Sequence, residues 1–222
     1  MTTVGFIGSG HIGTAIARLA VEAGHQVVLS NSRGPKTLAD TVAELGPRAS
    51  ASTRQEAAAA GDIVVVTVPV KAFPDLHAAA LPGKTVIDTC NYGPERDGHI
   101  PELDSRSLTS SELLLRYFPD AMLVKALNNV YYKHLLSLAR SAGATDRSYL
   151  PIAGDSAPAK AAVSEFIDSI GYSVVDTGLL AHSWRQETGT PVWGTPYGPA
   201  SNEKGQPGGE DAIRAALASA TR

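Results

Sequence analysis

The chain has 222 residues, 43% of them hydrophobic and 18% charged, enough for one well-buried core with room for an appendage. Its formal charge of −3, from 22 acidic and 19 basic side chains, excludes a broad electrostatic attraction for a nucleic-acid backbone, and no nucleic-acid partner is expected. Cys90 is the one cysteine, which rules out an intrachain disulfide framework and a multi-cysteine metal site and fits a reducing compartment. The first residues carry neither a basic leader nor an apolar run of signal-peptide length. The longest aliphatic stretch, Ile63 to Val70, contains Thr67 and Pro69. Neither export nor membrane spanning is therefore expected, and a cytoplasmic location is.

In chain order, Val4 to Ile7 reads as a short strand that stops at Gly8. His11 to Ala23 then has helical spacing through Ile12, Ile16 and Leu19, with Gly24 as its stop. Gln26 to Leu29 is the second strand. Gly34 and Pro35 open a helical segment that closes at Gly46, with Pro35 in the first turn, where its missing N–H is not needed. Thr53 and Glu56 have capping-box spacing ahead of an alanine-rich turn ending at Gly61. Ile63 to Val68 is the near-continuous β-branched run expected of a central parallel strand covered on both faces, and helix is expected to follow it. Thr85 to Thr89 and Met122 to Leu127 are further strands, with a helix at Ser110 to Tyr117 between them.

A helix is expected over Tyr131 to Ala142, followed by strand at Leu150 to Ala153, helix at Pro158 to Ile170 and strand at Tyr172 to Asp176. These extend the same sheet. The expected fold is α/β, a Rossmann-type, predominantly parallel sheet flanked by helices, over residues 1–178. From Leu179, repeated Gly and Pro interrupt all periodicity, so residues 179–222 read as a small C-terminal acceptor-pocket or dimerisation segment ending in a weak helix from about Asp211 to Ala220.

The strongest chemical signal is Gly8-Ser9-Gly10-His11-Ile12-Gly13, a Gly-x-Gly-x-x-Gly that follows a strand and opens a helix. Gly8 would permit the tight turn, Gly10 the approach of a pyrophosphate, and Gly13 close packing of helix on sheet. An NAD site would place a carboxylate at the end of the second strand. This chain reads Ser30-Asn31-Ser32-Arg33, then Lys36, with no carboxylate before Asp40. A hydroxyl donor, a guanidinium and an ammonium there suit the 2′-phosphate of NADP. His11 is expected to turn away from the reacting ring. Thr67, Val68 and Pro69, ending the central strand, either border the nicotinamide or simply terminate the strand.

The sequence resembles the family of coenzyme-F420-dependent NADP oxidoreductases in Val4 to Gly13, in Asn31-Ser32-Arg33, in Val124 to Asn128, in Ile152 to Asp155, in Asp176-Thr177-Gly178 and in Glu187 to Pro191. That resemblance implies hydride transfer between NADPH and the deazaflavin F420, a homodimer, and a deazaflavin pocket lined by Thr188 and Thr190. Two positions depart from the family: Asn128 where some members carry histidine, and Leu179 where proline is frequent.

Direct hydride transfer needs no nucleophile or metal, only an acceptor held against the donor with water excluded. Asn128, Thr190 and Tyr197 are the neutral hydrogen-bonding residues expected beside the acceptor. His134 reads as a satisfied helix-surface histidine more readily than as an acid, and Cys90 as packing. Trp184 and Arg185 divide between an acceptor-pocket edge and a subunit contact. Two other functions stay open: reduction of another planar acceptor such as a flavin, quinone or chelated metal, and an NADP-responsive binding protein without catalysis.

Overall fold

The structure, a computed structural model, describes residues 1–76 and 81–222. Five strands, β1 (Thr3–Ile7), β2 (Gln26–Ser30), β4 (Ile63–Val66), β5 (Thr85–Asp88) and β6 (Met122–Lys125), fall within a residue or two of their predicted limits. A short β3 (Ala49–Ala51), invisible as a pattern because its three residues are small, pairs in parallel with β2 at the sheet's edge. Beyond β6 come β7 (Tyr149–Gly154) and β8 (Ser173–Asp176), and the eight-stranded sheet runs β3-β2-β1-β4-β5-β6-β7-β8. All neighbours are parallel except β6 and β7, which meet antiparallel at Val124↔Gly154 and Lys125↔Ala153. The Rossmann-type, mostly parallel sheet is therefore the fold.

The helices are α1 (His11–Glu22), α2 (Ala39–Leu45), α3 (Arg54–Ala60), the one-turn α4 (Pro94–Asp97) and α5 (Pro101–Asp104), α6 (Ser110–Tyr117), α7 (Tyr132–Ser137), α8 (Ala157–Ser169) and α9 (Glu210–Ala218). The start signal predicted for α3 holds, and α6 carries a second of the same kind. Thr53 caps α3 with Glu56 in a reciprocal capping box, and Thr109 with Glu112 does the same for α6.

Side-chain alternation along the strands builds two cores. Val4, Phe6, Val65, Ile87 and Val124 face one layer, which includes Ile16 and Leu19 of α1 and Phe166 of α8. Ile7, Val64, Val66, Val86 and Leu123 face the other, against Phe73, Leu114 and Phe118.

Several elements differ from their predicted form. The segment after Gly34 divides into a 3-10 turn at Pro35–Leu38 and α2. After β4 the described chain forms a 3-10 turn at Val70–Asp75 with Pro74 inside it, and the rest of that expected helix falls in 77–80, outside the described residues. β6 stops at Lys125 because Leu127 takes a left-handed backbone, φ 61°, which no strand accommodates. α7 ends at Ser137, short of Ala142. Val192, Tyr197, Ile213 and Leu217 of the late segment are buried in the same core as β1 and α1.

Gly5 fixes how closely α3 lies on β1. A Cβ there would meet the carbonyl oxygen of Ala57 at 2.0 Å. Since the obstacle is backbone, Gly5→Ala should cost about 3 kcal/mol, at the upper end for overpacking, measured as a drop in the urea midpoint with unchanged m-value.

Candidate functional site

The turn between β1 and α1 is held from beneath. Gly8 has φ 106°, and a Cβ on it would strike the Thr67 carbonyl oxygen at 2.2 Å; one on Gly13 would meet the Gly8 oxygen at 2.7 Å and Thr67 Cγ2 at 2.8 Å. Thr67 and Val68 thus back the glycine turn and form no part of the large cavity described below, and exposed Pro69 follows them. Gly10 differs: its φ of −81° suits any residue, and a Cβ would meet nothing within 4 Å. Nothing in the protein requires glycine at Gly10, and the open space there leaves room for a ligand to approach the backbone.

The N-terminus of α1, unlike those of α3 and α6, has no side-chain cap and no acidic residue in its first turn. Its unpaired N–H groups and positive dipole end, at His11, Ile12 and Gly13, suit a pyrophosphate. Ser9 adds shape more than a donor, because its hydroxyl donates to the Ser30 carbonyl at 2.8 Å, while Ser30 Oγ donates to Phe6 O at 2.6 Å.

At the end of β2, Asn31 folds the next turn on itself. Its Oδ1 accepts from Arg33 N at 2.9 Å and its Nδ2 donates to Thr37 Oγ1 at 2.9 Å. This leaves Ser32, Arg33 and Lys36 exposed, with no ion-pair partner for either cation among the described residues. Asn31 and Ser32 open onto a cleft of about 290 Å³ whose far wall holds Thr53, Arg54 and Asp75. Arg54, missed by sequence reasoning, sits there because the Thr53 cap starts α3 at this edge. The cleft holds hydroxyl and amide donors, with Arg54 and Asp75 in its far wall, and Arg33 and Lys36 lie exposed on the turn beside it, a composition that fits a phosphorylated ribose.

On the other side of the glycine turn lies a cavity of about 790 Å³. His11 and Ile12 of α1, Thr89 and Asn91 after β5, Asn128 to Tyr132 after β6, and Trp193 to Thr195 of the late segment line it. His11 does not turn away as expected. It stacks on Tyr132 with ring centroids 4.6 Å apart and planes 18° from parallel, forming a flat wall of the cavity. The strand-end rule for α/β sheets pointed to the loop after β5, but nothing in the sequence singled out Asn91 or Thr89 within it.

The three residues expected beside the acceptor separate. Asn128 lines the cavity, but its N–H donors are spent: Nδ2 donates to Asn91 Oδ1 at 3.0 Å and to Gln186 O at 2.7 Å, and Oδ1 accepts from Gln186 Nε2 at 3.2 Å. Asn91 donates one N–H to Asn128 O at 2.7 Å and keeps its second N–H and a lone pair. Asn91 is the better-placed amide. Thr190 lies on a different, smaller pocket of about 180 Å³ with Thr188 and Trp184, and its hydroxyl donates to Glu187 O at 2.8 Å, closing a turn.

Tyr197 must be corrected. It is fully buried and donates to Tyr149 O at 2.7 Å while accepting from Asn129 Nδ2 at 3.2 Å, and burial pushes its phenol well above the ordinary tyrosine range. It is a post of the core beneath the cavity, with no free hydroxyl for an acceptor.

His134 is buried, with Nε2 against Asn202 O at 2.7 Å. Arg185 lies over the Trp184 ring, 4.6 Å from its centroid, and borders neither the large cavity nor the phosphate cleft. Beneath the floor, Lys125 and Asp88 form a fully buried ion pair at 3.1 Å. Lys125 also bonds the Cys90 carbonyl and Ser110 Oγ, and Asp88 accepts from Ser111 Oγ at 2.7 Å and Cys90 N at 2.8 Å. Burial and then the neighbouring Asp88 carboxylate hold the Cys90 thiol well above its usual range, so it stays protonated.

Two outcomes follow from this geometry. Gly10→Val should keep the wild-type melting temperature within about 2 °C yet weaken dinucleotide binding at least tenfold, roughly 1.4 kcal/mol, by calorimetric titration. Cys90 should resist a thiol reagent in the native protein at pH 8 and react once the chain is unfolded in urea.

The family model described as NADP oxidoreductase, coenzyme F420-dependent, matches residues 3–92. The rat (Rattus norvegicus) metalloreductase STEAP3 is 30% identical over 181 residues, 80% of this chain but 34% of that protein, so the chain spans about a third of this relative. A Sinorhizobium meliloti protein described as hypothetical superposes with a TM-score of 0.76 at 30% identity, over 86% of this chain and 93% of that one. A structure described as an F420-dependent NADP-reductase of Arthrobacter sp. FB24 gives 0.67 at 26% identity, over 83% and 87%. Over residues 3–92, its nucleotide-binding segment, the chain is thus similar to the coenzyme-F420-dependent NADP oxidoreductases.

Proposed function

We propose that this chain catalyses direct hydride transfer between NADPH and a planar conjugated acceptor held in the 790 Å³ cavity, with F420 the acceptor the family match favours. The observation that carries the reading is the adjacency of two sites on one glycine turn. An uncapped α1 N-terminus stands above the open space at Gly10, and an aromatic-walled cavity begins at the next residue, His11.

Bound NADPH supplies the hydride, from C4 of its nicotinamide. The protein's tasks are binding, orientation and exclusion of water. Backbone N–H groups from His11 to Gly13 take the pyrophosphate, and Ser32, Arg33 and Lys36, with Arg54 across the cleft, take the 2′-phosphate. Asn91 offers an amide donor and acceptor at the cavity, held by Asn128, which Gln186 holds in turn. Tyr131, Tyr132 and Trp193 shield the reacting rings from solvent. Thr190 serves the turn that divides the two pockets. The reading includes a homodimer, to be decided by sedimentation, and a cytoplasmic enzyme.

The match to a metalloreductase favours a second acceptor class, a flavin or chelated metal, in the same cavity. Anaerobic mixing with C4-deuterated NADPH decides between them: label should pass from one face of the nicotinamide to F420 without appearing in solvent. Rapid reduction of flavin or ferric chelate with F420 inert would replace the acceptor and keep the NADPH reading. Arg33→Ala should raise the NADPH dissociation constant about tenfold and leave that for NADH within twofold, because only NADPH carries the extra anion; an equal effect on both would remove Arg33 from phosphate recognition.

A further inference from the structure

We infer that the cavity selects a neutral conjugated ring and takes no account of charge on the acceptor's tail, an inference that rests on the hydride-transfer reading above. Among the described residues that line the cavity there is no Lys, Arg, Asp or Glu. Three cations next to the lining segments are already compensated. Lys125 is buried against Asp88, Arg96 pairs with Asp97 at 2.8 Å and also bonds the Asn91 carbonyl, and Lys133 pairs with Glu203. On the adenosine side the arrangement is reversed, with Arg33 and Lys36 unpaired and exposed. Attraction for anions is therefore concentrated at one end of the nucleotide, and the acceptor is held by area: the flat His11–Tyr132 wall, Tyr131 set edge-on to Tyr132, and Trp193, 41% exposed at the rim.

The same lining restricts the chemistry. A simple ketone or imine needs an acid beside it to take up negative charge as the hydride arrives; the cavity presents neither carboxylic acid nor lysine, and that task would fall to His11, Tyr131 or Tyr132, whose rings form its packed aromatic wall. A quinone or isoalloxazine ring spreads that charge over its own conjugated system. The step balances without a further reagent: a C–H bond of NADPH breaks with its electron pair, giving NADP⁺, a C–H or N–H bond forms on the ring, and a solvent proton completes the two-electron reduced acceptor.

Riboflavin and FMN share one ring and differ in a terminal phosphate, so they test the inference directly. Their dissociation constants, read from quenching of flavin fluorescence in the presence of saturating NADP⁺, should agree within about twofold and change less than twofold between 20 mM and 500 mM salt. NADPH affinity should fall about tenfold over the same range. Trp193→Ala should weaken both flavins equally. Thr195→Lys, at an exposed lining position, should create a preference for FMN of about tenfold that salt abolishes. Wild-type preference for FMN of tenfold or more, lost in high salt, would overturn the inference and leave hydride transfer intact, as would reduction of F420 with no binding of either flavin. If F420, both flavins and menadione all fail to accept hydride while NADPH binds, both readings fall together.

Discussion

The buried pair of Lys125 and Asp88 governs how the carboxyl edge of the sheet is assembled. Each carboxylate oxygen and the ammonium find further partners in Ser110, Ser111 and the Cys90 backbone, so the desolvation of two charges is offset by a filled hydrogen-bond shell. Removing one partner of such a pair costs about 3–5 kcal/mol because a charge is left alone in the core. The pair joins β5 to β6 and both to α6, whose Ser110 N and Oγ also bond Glu187 Oε1 at 2.6 and 2.8 Å. From there Gln186 reaches Lys125 O, Pro151 O and Asn128, tying the late segment to β6, β7 and the cavity floor. One electrostatic contact thus sets the loops after two strands and the segment that crosses above them.

Most of the fold was legible because its signals are local. β-branched runs bounded by glycine located the main strands, and Thr53 three residues before Glu56 located the start of α3, to within a residue or two. The misses have tertiary causes. Ala49 to Ala51 pair with β2 without any hydrophobic pattern of their own, and Leu127 leaves the strand because the chain must turn into the Asn128 network. The geometry of the proposed nucleotide end was legible for the same reason as the strands: Gly8 to Gly13 and Ser32-Arg33 take their shape from their own backbone and turn. The acceptor end was not, because hydrogen-bond commitments between distant segments decide which side chains are free. Tyr197 looked available until Tyr149 and Asn129, far off in sequence, took its hydroxyl; Asn91 looked ordinary until Asn128 left half its amide unspent.

The three glycines of the turn show two separate constraints within one motif. Gly8 and Gly13 are required by the protein, since Thr67 lies too close for a side chain at either. Gly10 is required only by what binds. A mutation at the first two would confound stability with affinity, whereas Gly10 reports affinity alone.

The boundary of the family match follows the same physical division. It ends at Tyr92, one residue past Asn91, and so takes in the phosphate turn, the Ser-Arg turn and one wall of the cavity. The remaining walls, residues 128–132, 193–195 and 198–200, come from beyond it. Nucleotide recognition is carried by backbone geometry and a few charges, which a short segment can hold unchanged. Acceptor recognition is carried by the area of aromatic and Gly-Pro-rich loops, where one side chain re-aimed alters the shape of the whole slot. The similarity over residues 3–92 therefore bears on the nucleotide, while the acceptor has to be read from the cavity itself.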